Sequence, residues 1–210
     1  MRAAGKSPAR ESARPAAPAP RRGLPHEVRI IGGQWKRSKL PVGDAEGLRP
    51  TPDRVRETLF NWLGQDLDGW RCLDAFAGSG ALGFEAASRG AGEVVLIERD
   101  RALARSLDAV KLRLGASAVR IENADAIAWM GRCPADAFDI VFFDPLFGIA
   151  LAELALAAAT RVVAPGGWVY LEAPEPYAPA AAEALGLSIH RQGRAGSVHF
   201  QLLQRSISNP

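Results

Sequence analysis

The sequence predicts an α/β fold: a seven-stranded, mostly parallel sheet with helices on both faces, a terminal antiparallel hairpin, and a small N-terminal β-hairpin. Three observations carry this. From residue 71 onward, apolar strand-like runs alternate with helical patterns. The last two strand candidates, 187–191 and 197–205, are joined through Gly193 and Gly196 with no helix between them. Ahead of the alternation lies a short apolar pair of segments around Gly32-Gly33.

Residues 1–27 are rich in Ala, Pro and Arg, hold five prolines and have no periodic apolar pattern, so disorder is expected. Residues 28–31 and 34–40 flank the glycine pair and read as the hairpin, followed by a loop over 41–50. Thr51-Pro52 predicts a helix start, with Thr51 as N-cap and Pro52 at the first helical position. Val55, Leu59, Trp62 and Leu63 follow at helical spacing, and Gly64 ends the run. Strands are expected at 71–76, 93–98, 118–122, 138–143, 167–172, 187–191 and 197–205. Helices are expected at 80–89, 100–114, 125–131, 149–160 and 177–185. Three segments result: a tail over 1–27, the hairpin and loop over 28–50, and one α/β domain over 51–210.

Bulk properties exclude several classes. No apolar run approaches the roughly 18–20 residues of a membrane helix, and residues 1–27 lack the apolar core of a signal peptide. Cys72 and Cys133 stand alone, in no metal-ligand or disulfide pattern. A cytoplasmic protein without metal is the expectation. The net charge of +3 conceals an asymmetry. Residues 1–56 hold 13 Lys/Arg against 5 Asp/Glu, and residues 57–210 hold 13 against 18. A polyanion partner fits the basic end. Arg29, Lys36, Arg37, Lys39 and Arg49 are the candidates, since they lie in a segment with structural signals. Arg194 in the last hairpin reads equally as an RNA contact or as a solvated surface arginine.

The most informative stretch is Ile140-Val141-Phe142-Phe143-Asp144-Pro145-Leu146-Phe147. Its apolar run predicts a strand buried on both faces. Proline biases Asp144 toward extended backbone. A stiff corner results at a strand's carboxyl end, presenting a carboxylate, a free carbonyl and an aromatic ring. Ligands of open α/β sheets bind at such ends, and a flat molecule bearing an amino group suits these groups.

Gly78, Gly80 and Gly83 follow Asp74-Ala75-Phe76-Ala77 as a GxGxxG turn, and Glu98 closes the next strand 24 residues after Asp74. A carboxylate there can accept both hydroxyls of a ribose. Beside a dinucleotide's pyrophosphate, Asp74 would add repulsion. Beside the ammonium group of S-adenosyl-L-methionine, it would form a charge-assisted bond contributing roughly 1.5–3 kcal/mol. Asp74 therefore favours S-adenosyl-L-methionine over NAD. After the third strand, Asp125 can accept an adenine amine, with the Ala126 amide offered to a ring nitrogen; Asp125 reads alternatively as a helix N-cap.

Asp74, Glu98, Asp125 and Asp144 thus follow four successive strands. That order resembles the class I S-adenosylmethionine-dependent methyltransferases, with their Rossmann-like sheet. Asp144-Pro145-Leu146-Phe147 looks like the (Asp/Asn)-Pro-Pro-(Tyr/Phe) signature of enzymes that methylate exocyclic amines, with Leu146 in place of the second proline. Arg29-Ile30-Ile31-Gly32-Gly33-Gln34-Trp35-Lys36, the stretch from Leu48 through Thr51 and Arg56 to Leu63, and His190 to Gly196 are similar to bacterial RsmD-type 16S rRNA guanine-N2 methyltransferases. The resemblance spans about residues 28–205.

It implies an S-adenosyl-L-methionine site formed by Asp74, Phe76, Gly78, Gly80, Glu98, Asp125 and Ala126. The helix after Thr51 would cover the methionine end, with Thr51 and Arg56 as the contacting candidates. Asp144 and the Pro145 carbonyl would accept the substrate amine, and Phe147 would stack on the base. The implied partner of this monomer is small-subunit rRNA or its assembly particle. Two other enzyme readings stay open: adenine-N6 methylation, which the same tetrapeptide serves, and an NAD-dependent oxidoreductase using the glycine turn alone. A non-enzymatic RNA-binding module is the remaining alternative.

Overall fold

The computed structural model describes residues 27–42, 51–144 and 149–207. A two-stranded sheet, β1 (Glu27–Arg29) with β2 (Lys39–Pro41), precedes helix α1 (Asp53–Trp62). Then follow β3 (Arg71–Asp74), α2 (Ala81–Ser88), β4 (Glu93–Ile97), α3 (Arg101–Leu114), β5 (Val119–Glu122), α4 (Ala126–Arg132) and β6 (Phe138–Phe143). The chain ends with α5 (Ile149–Val162), β7 (Val163–Ala173), α6 (Pro179–Ala184), β8 (Leu187–Ala195) and β9 (Val198–Arg205).

The main sheet has seven strands in the order β5-β4-β3-β6-β7-β9-β8. β5, β4, β3, β6 and β7 run parallel to one another. β9 is antiparallel to both β7 and β8. The expected architecture is therefore present, terminal hairpin included.

The run Ile140 to Phe143 is wholly buried because β6 lies in the sheet's interior with a helical layer on each face. Side-chain alternation splits it. Ile140 and Phe142 join one core with Leu59, Phe60, Phe84 and Leu107 of α1, α2 and α3. Val141 and Phe143 join the other with Met130, Leu156 and Ala159 of α4 and α5. The order builds outward from β3 to β5 on one side and from β6 to β7 on the other. The crevice at this reversal lies beyond the carboxyl ends of β3 and β6, where Asp74 pairs in register with Phe142.

Two local expectations need correction. Residues 34–37 form a turn and not a strand, and the second hairpin strand is only Lys39–Pro41. The backbone amides of Gln34 and Trp35 donate to Ser88 O and Ser88 Oγ at 2.8 and 2.9 Å, so they are unavailable to a ladder. Gly33 (φ 71°) makes this docking possible, since a Cβ there would lie 1.8 Å from Ser88 O. Second, α1 begins at Asp53 with Pro52 in the N-cap position and no side-chain cap. Thr51 is buried and its hydroxyl is used elsewhere.

Two strands are longer than expected: β7 starts at Val163, and β8 continues to Ala195. Gly193 faces Phe200 across the β8–β9 ladder. The ring lies where a Cβ would be, 2.3 Å from Phe200 Cζ, and Trp62 of α1 stacks on the same ring at 5.3 Å. This ties the terminal hairpin to α1.

Candidate cofactor and amine site

β3 delivers Asp74 to the crevice almost without solvent contact, at 3% exposure. Its Oδ2 accepts the Gly83 amide at 2.9 Å. Glycine is needed at 83 because a Cβ would stand 2.7 Å from Leu96 and 3.1 Å from that same carboxylate oxygen. Burial, partly opposed by the Gly83 bond and reinforced by the Glu98 charge, pushes the Asp74 carboxyl up to about 7. A buried acid with a single amide donor is suited to a cationic ligand group. The chemistry fits the ammonium end of S-adenosyl-L-methionine.

The glycine turn closes over this acid. Gly78 (φ 52°) and Gly80 (φ 75°) adopt left-handed backbone, and a Cβ on Gly80 would lie 2.7 Å from both Phe84 and Leu107. From the end of β4, Glu98 reaches across, and its Oε2 accepts the Gly78 amide at 2.9 Å. Its Oε1 accepts the Asp100 amide at 2.7 Å. Glu98 thus borders the turn from the neighbouring strand end, where a ribose would be held. Phe76, half-buried, meets Phe143 edge-on at 5.0 Å. Asp125 is exposed and caps α4: its Oδ1 accepts the Ala128 amide at 2.9 Å. The N-cap alternative is therefore present, using one carboxylate oxygen, and Ala126 opens the helix.

One strand over from Asp74, β6 delivers Asp144. Its Oδ2 accepts the Thr51 hydroxyl at 3.3 Å. Burial, then the charges of Glu172 and Asp74, hold its carboxyl well above the ordinary range, while the Thr51 bond opposes them. Pro145, Phe147 and Arg49 lie outside the described residues, as do Leu146 and the tail over 1–26.

Arg56 does not face the cleft. Its guanidinium is fully buried and spent on protein: Nε donates to Thr51 O at 3.3 Å and Nη2 to Arg29 O at 2.9 Å. Nη2 also pairs with Asp53 at 2.6 Å, and Nη1 with Glu85 at 3.5 Å. Through Nε, Arg56 holds the carbonyl of Thr51, the other residue expected at the methionine end of the cofactor. Arg29, Lys36, Arg37, Lys39 and Arg194 are all exposed. Lys39 pairs with Glu27 at 2.7 Å, and Arg194 Nε donates to Gly196 O at 2.9 Å.

Sequence reasoning missed Glu172, Tyr170 and Glu85. Glu172 ends the central part of β7, beside Asp144, at 5% exposure, and Oε1 accepts the Tyr170 hydroxyl at 2.8 Å. The signal was available: an acid closes this strand candidate as Asp74, Glu98 and Asp144 close theirs. Glu85 is the single acid in the otherwise small and apolar α2. Among the described residues no helix is long and apolar enough to cross a membrane. Among them, too, no His, Cys, Asp and Glu cluster could hold a metal ion.

Comparison with known proteins agrees with this geometry. Residues 28–204 match the family described as "Conserved hypothetical protein 95". "Ribosomal RNA small subunit methyltransferase D" of Escherichia coli (strain K12) is 42% identical over 189 residues, covering 85% of this chain and 90% of the relative. The solved structure of yhhF from Escherichia coli superposes with a TM-score of 0.75 at 40% identity, covering 87% of this chain and 99% of that one. Magnesium protoporphyrin IX methyltransferase from Synechocystis PCC 6803, solved with bound SAM, shares the fold with a TM-score of 0.61 at 16% identity, covering 73% and 79% of the two chains. The sheet is that of class I methyltransferases, and the chain belongs to the conserved hypothetical protein 95 family, the RsmD type to which Arg29–Lys36 and the segment around Thr51 pointed.

Proposed function

We propose that this protein transfers a methyl group from S-adenosyl-L-methionine to the exocyclic N2 amine of a guanine in small-subunit (16S) rRNA. The observation that carries the reading is the placement of Asp74 and Asp144 at the carboxyl ends of adjacent strands, β3 and β6, flanking the switch point of the sheet. One acid suits a cationic cofactor end, and the other a neutral amine. The kinship with proteins named ribosomal RNA small subunit methyltransferase D supports rRNA as the substrate class.

When bound, S-adenosyl-L-methionine supplies an electrophilic methyl group on a sulfonium. The chain's own residues do the rest. Asp74 holds the ammonium, Glu98 the ribose hydroxyls, and Asp125 with Ala126 the adenine. An aryl amine is a weak nucleophile because its lone pair is delocalised into the ring. Asp144 and the Pro145 carbonyl accept its N–H bonds, which orients the lone pair and favours positive charge developing on nitrogen. Phe147 stacks on the base, contributing roughly 1–3 kcal/mol. Unstacking the base costs a few kcal/mol. Phosphate contacts from Arg29, Lys36, Arg37, Lys39, Arg49 and Arg194 supply the remainder. The substrate is rRNA or its assembly particle, met by a cytoplasmic monomer.

The test is incubation of purified protein with labelled S-adenosyl-L-methionine and small subunits lacking the modification, followed by nucleoside analysis. N2-methylguanosine is expected. N6-methyladenosine would transfer the reading to the adenine amine. Binding of NAD without S-adenosyl-L-methionine would overturn it.

A further inference from the structure

Helix α1 has two flanks beside its buried stripe. Glu57 and Asn61 line a cleft with Gly33 and Lys36 of the N-terminal hairpin segment. Arg54, Thr58 and Trp62, spaced four residues apart, lie along the other flank. That flank meets the terminal hairpin: the Trp62 ring stacks on Phe200 of β9 at 5.3 Å, with 29° between the planes. On β8, Arg191 stands opposite Leu202 and Gly193 opposite Phe200. Residues directly opposite each other point to the same side of a sheet. Trp168 of β7 packs against the same core as Phe200 and Leu202. An irregularity between Ile189 and Arg191 accompanies the approach of His190, whose ring meets Trp168 edge-on at 5.0 Å.

Aromatic rings and cations alternate on this face. Trp62 and Trp168 are only half-buried, and Arg54, His190 and Arg191 are exposed. Among the described residues of the face, the one acid is Glu172, at 5% exposure. The balance runs against the domain as a whole, since residues 57–210 hold 13 Lys/Arg against 18 Asp/Glu. An unpaired nucleic-acid strand matches such a surface: its bases stack on aromatic rings while cations follow its phosphates. A duplex hides its base faces, so the match is to a single strand.

The face also adjoins the amine site. Phe200 stands opposite Glu172, which closes β7 beside Asp144. Two strand spacings, on the order of 10 Å, separate β9 from β6. The platform is braced, because Gly193 leaves room for the Phe200 ring beneath Trp62.

We propose that this face, where α1 meets β8 and β9, binds the single-stranded rRNA next to the target guanine: Trp62 stacks on a base, and Arg54 and Arg191 take phosphates. Its adjacency to a target guanine rests on the reaction proposed above; the docking of an unpaired strand does not.

Titration of the full chain with a short, unstructured, fluorescently labelled RNA oligonucleotide tests this. Trp62→Leu should weaken binding by about 5- to 150-fold, the range for one lost base stack. Arg54→Glu with Arg191→Glu should shrink the slope of log affinity against log salt by about 0.7 per lost phosphate contact. Arg132→Glu, in α4 on the other side of the sheet, should leave both quantities unchanged. Photocrosslinking from the oligonucleotide should label the peptide that holds Trp62. If the arginine pair leaves affinity and slope at their wild-type values, or if Arg132→Glu weakens binding as much, this face is not the site. Should Trp62→Leu fail to fold, the two exposed arginines decide alone. Crosslinks from this face to protein alone, in subunit particles, would give it a protein partner and overturn the proposal. A wild type that binds the oligonucleotide here yet methylates no guanine would refute the proposed reaction and leave the docking standing.

Discussion

Arg56 of α1 and Glu85 of α2 meet as a fully buried ion pair, 3.5 Å apart, at the junction of three elements. Glu85 Oε2 and Oε1 accept the amides of Ile31 and Gly32 at 2.7 and 2.8 Å, and Oε1 also pairs with Arg89 at 2.9 Å. The pair therefore fastens the basic N-terminal hairpin to α1 and α2, while Arg56 fixes the Thr51 carbonyl. A buried charge survives only when every face is bonded, and here the bonds are spread over the segments that frame the crevice.

Glu85→Ala would leave two backbone amides without their acceptor and take from Arg56 its buried carboxylate, with the exposed Asp53 still paired to it. A loss of about 3–5 kcal/mol in urea unfolding is expected, the usual cost of breaking a buried pair from one side. A change below about 0.5 kcal/mol, typical of a surface substitution, would contradict the role.

Asp74 links stability to binding. Its folded carboxyl sits at about 7, above the ordinary 3.8. The folded state then holds a proton that the unfolded state has lost, so this group's contribution falls as pH rises through that window and is level above it. The whole penalty is of order 4 kcal/mol at most. Asp74→Asn should unfold later than wild type at pH 8 and equally at pH 3, while losing measurable affinity for S-adenosyl-L-methionine in calorimetry. Wild-type affinity should weaken as pH falls below 7, because a cationic ligand requires the ionised acid.

Gly193→Ala pushes a methyl group into Phe200, whose ring also stacks on Trp62. Overpacking of this kind costs about 1–3 kcal/mol. The loss should appear in thermal unfolding and be accompanied by a change in Trp fluorescence. Unchanged values for both would mean that the ring moves freely aside.

Much of this fold could be read from the sequence because its signals are local. The β6 run, the glycine turn and the acids ending four strands each follow from residues close in the chain. The hairpin turn at 34–37 could not, because Ser88, more than fifty positions away, decides its hydrogen bonding. Arg56 was legible as a charged residue on α1 but not as a buried one, since its burial depends on Glu85 from another helix. Thr51 had the right residue type for an N-cap, yet a tertiary partner, Asp144, claims its hydroxyl. Glu172 was legible as an acid closing its strand, but its place beside Asp144 depends on the strand order that sets β7 against β6.

The exposed Lys36 and Arg37 bear on RNA affinity and not on the chemistry. Lys36→Glu with Arg37→Glu should raise KM for the particle and leave the unfolding midpoint within about 0.5 kcal/mol of wild type. The slope of log affinity against log salt should shrink by about 0.7–0.9 per lost phosphate contact. An unaltered slope would place the RNA elsewhere.

The central claim is that Asp144 holds a guanine amine of small-subunit rRNA for methylation. Mass mapping of 16S rRNA, after treating unmodified subunits with wild-type protein or Asp144→Ala, tests it most directly. The account predicts N2-methylguanosine with wild type and a rate lower by about 10²–10³-fold with the variant, at undiminished affinity for S-adenosyl-L-methionine. A variant that methylates at the wild-type rate, or a wild type that yields N6-methyladenosine, would contradict it.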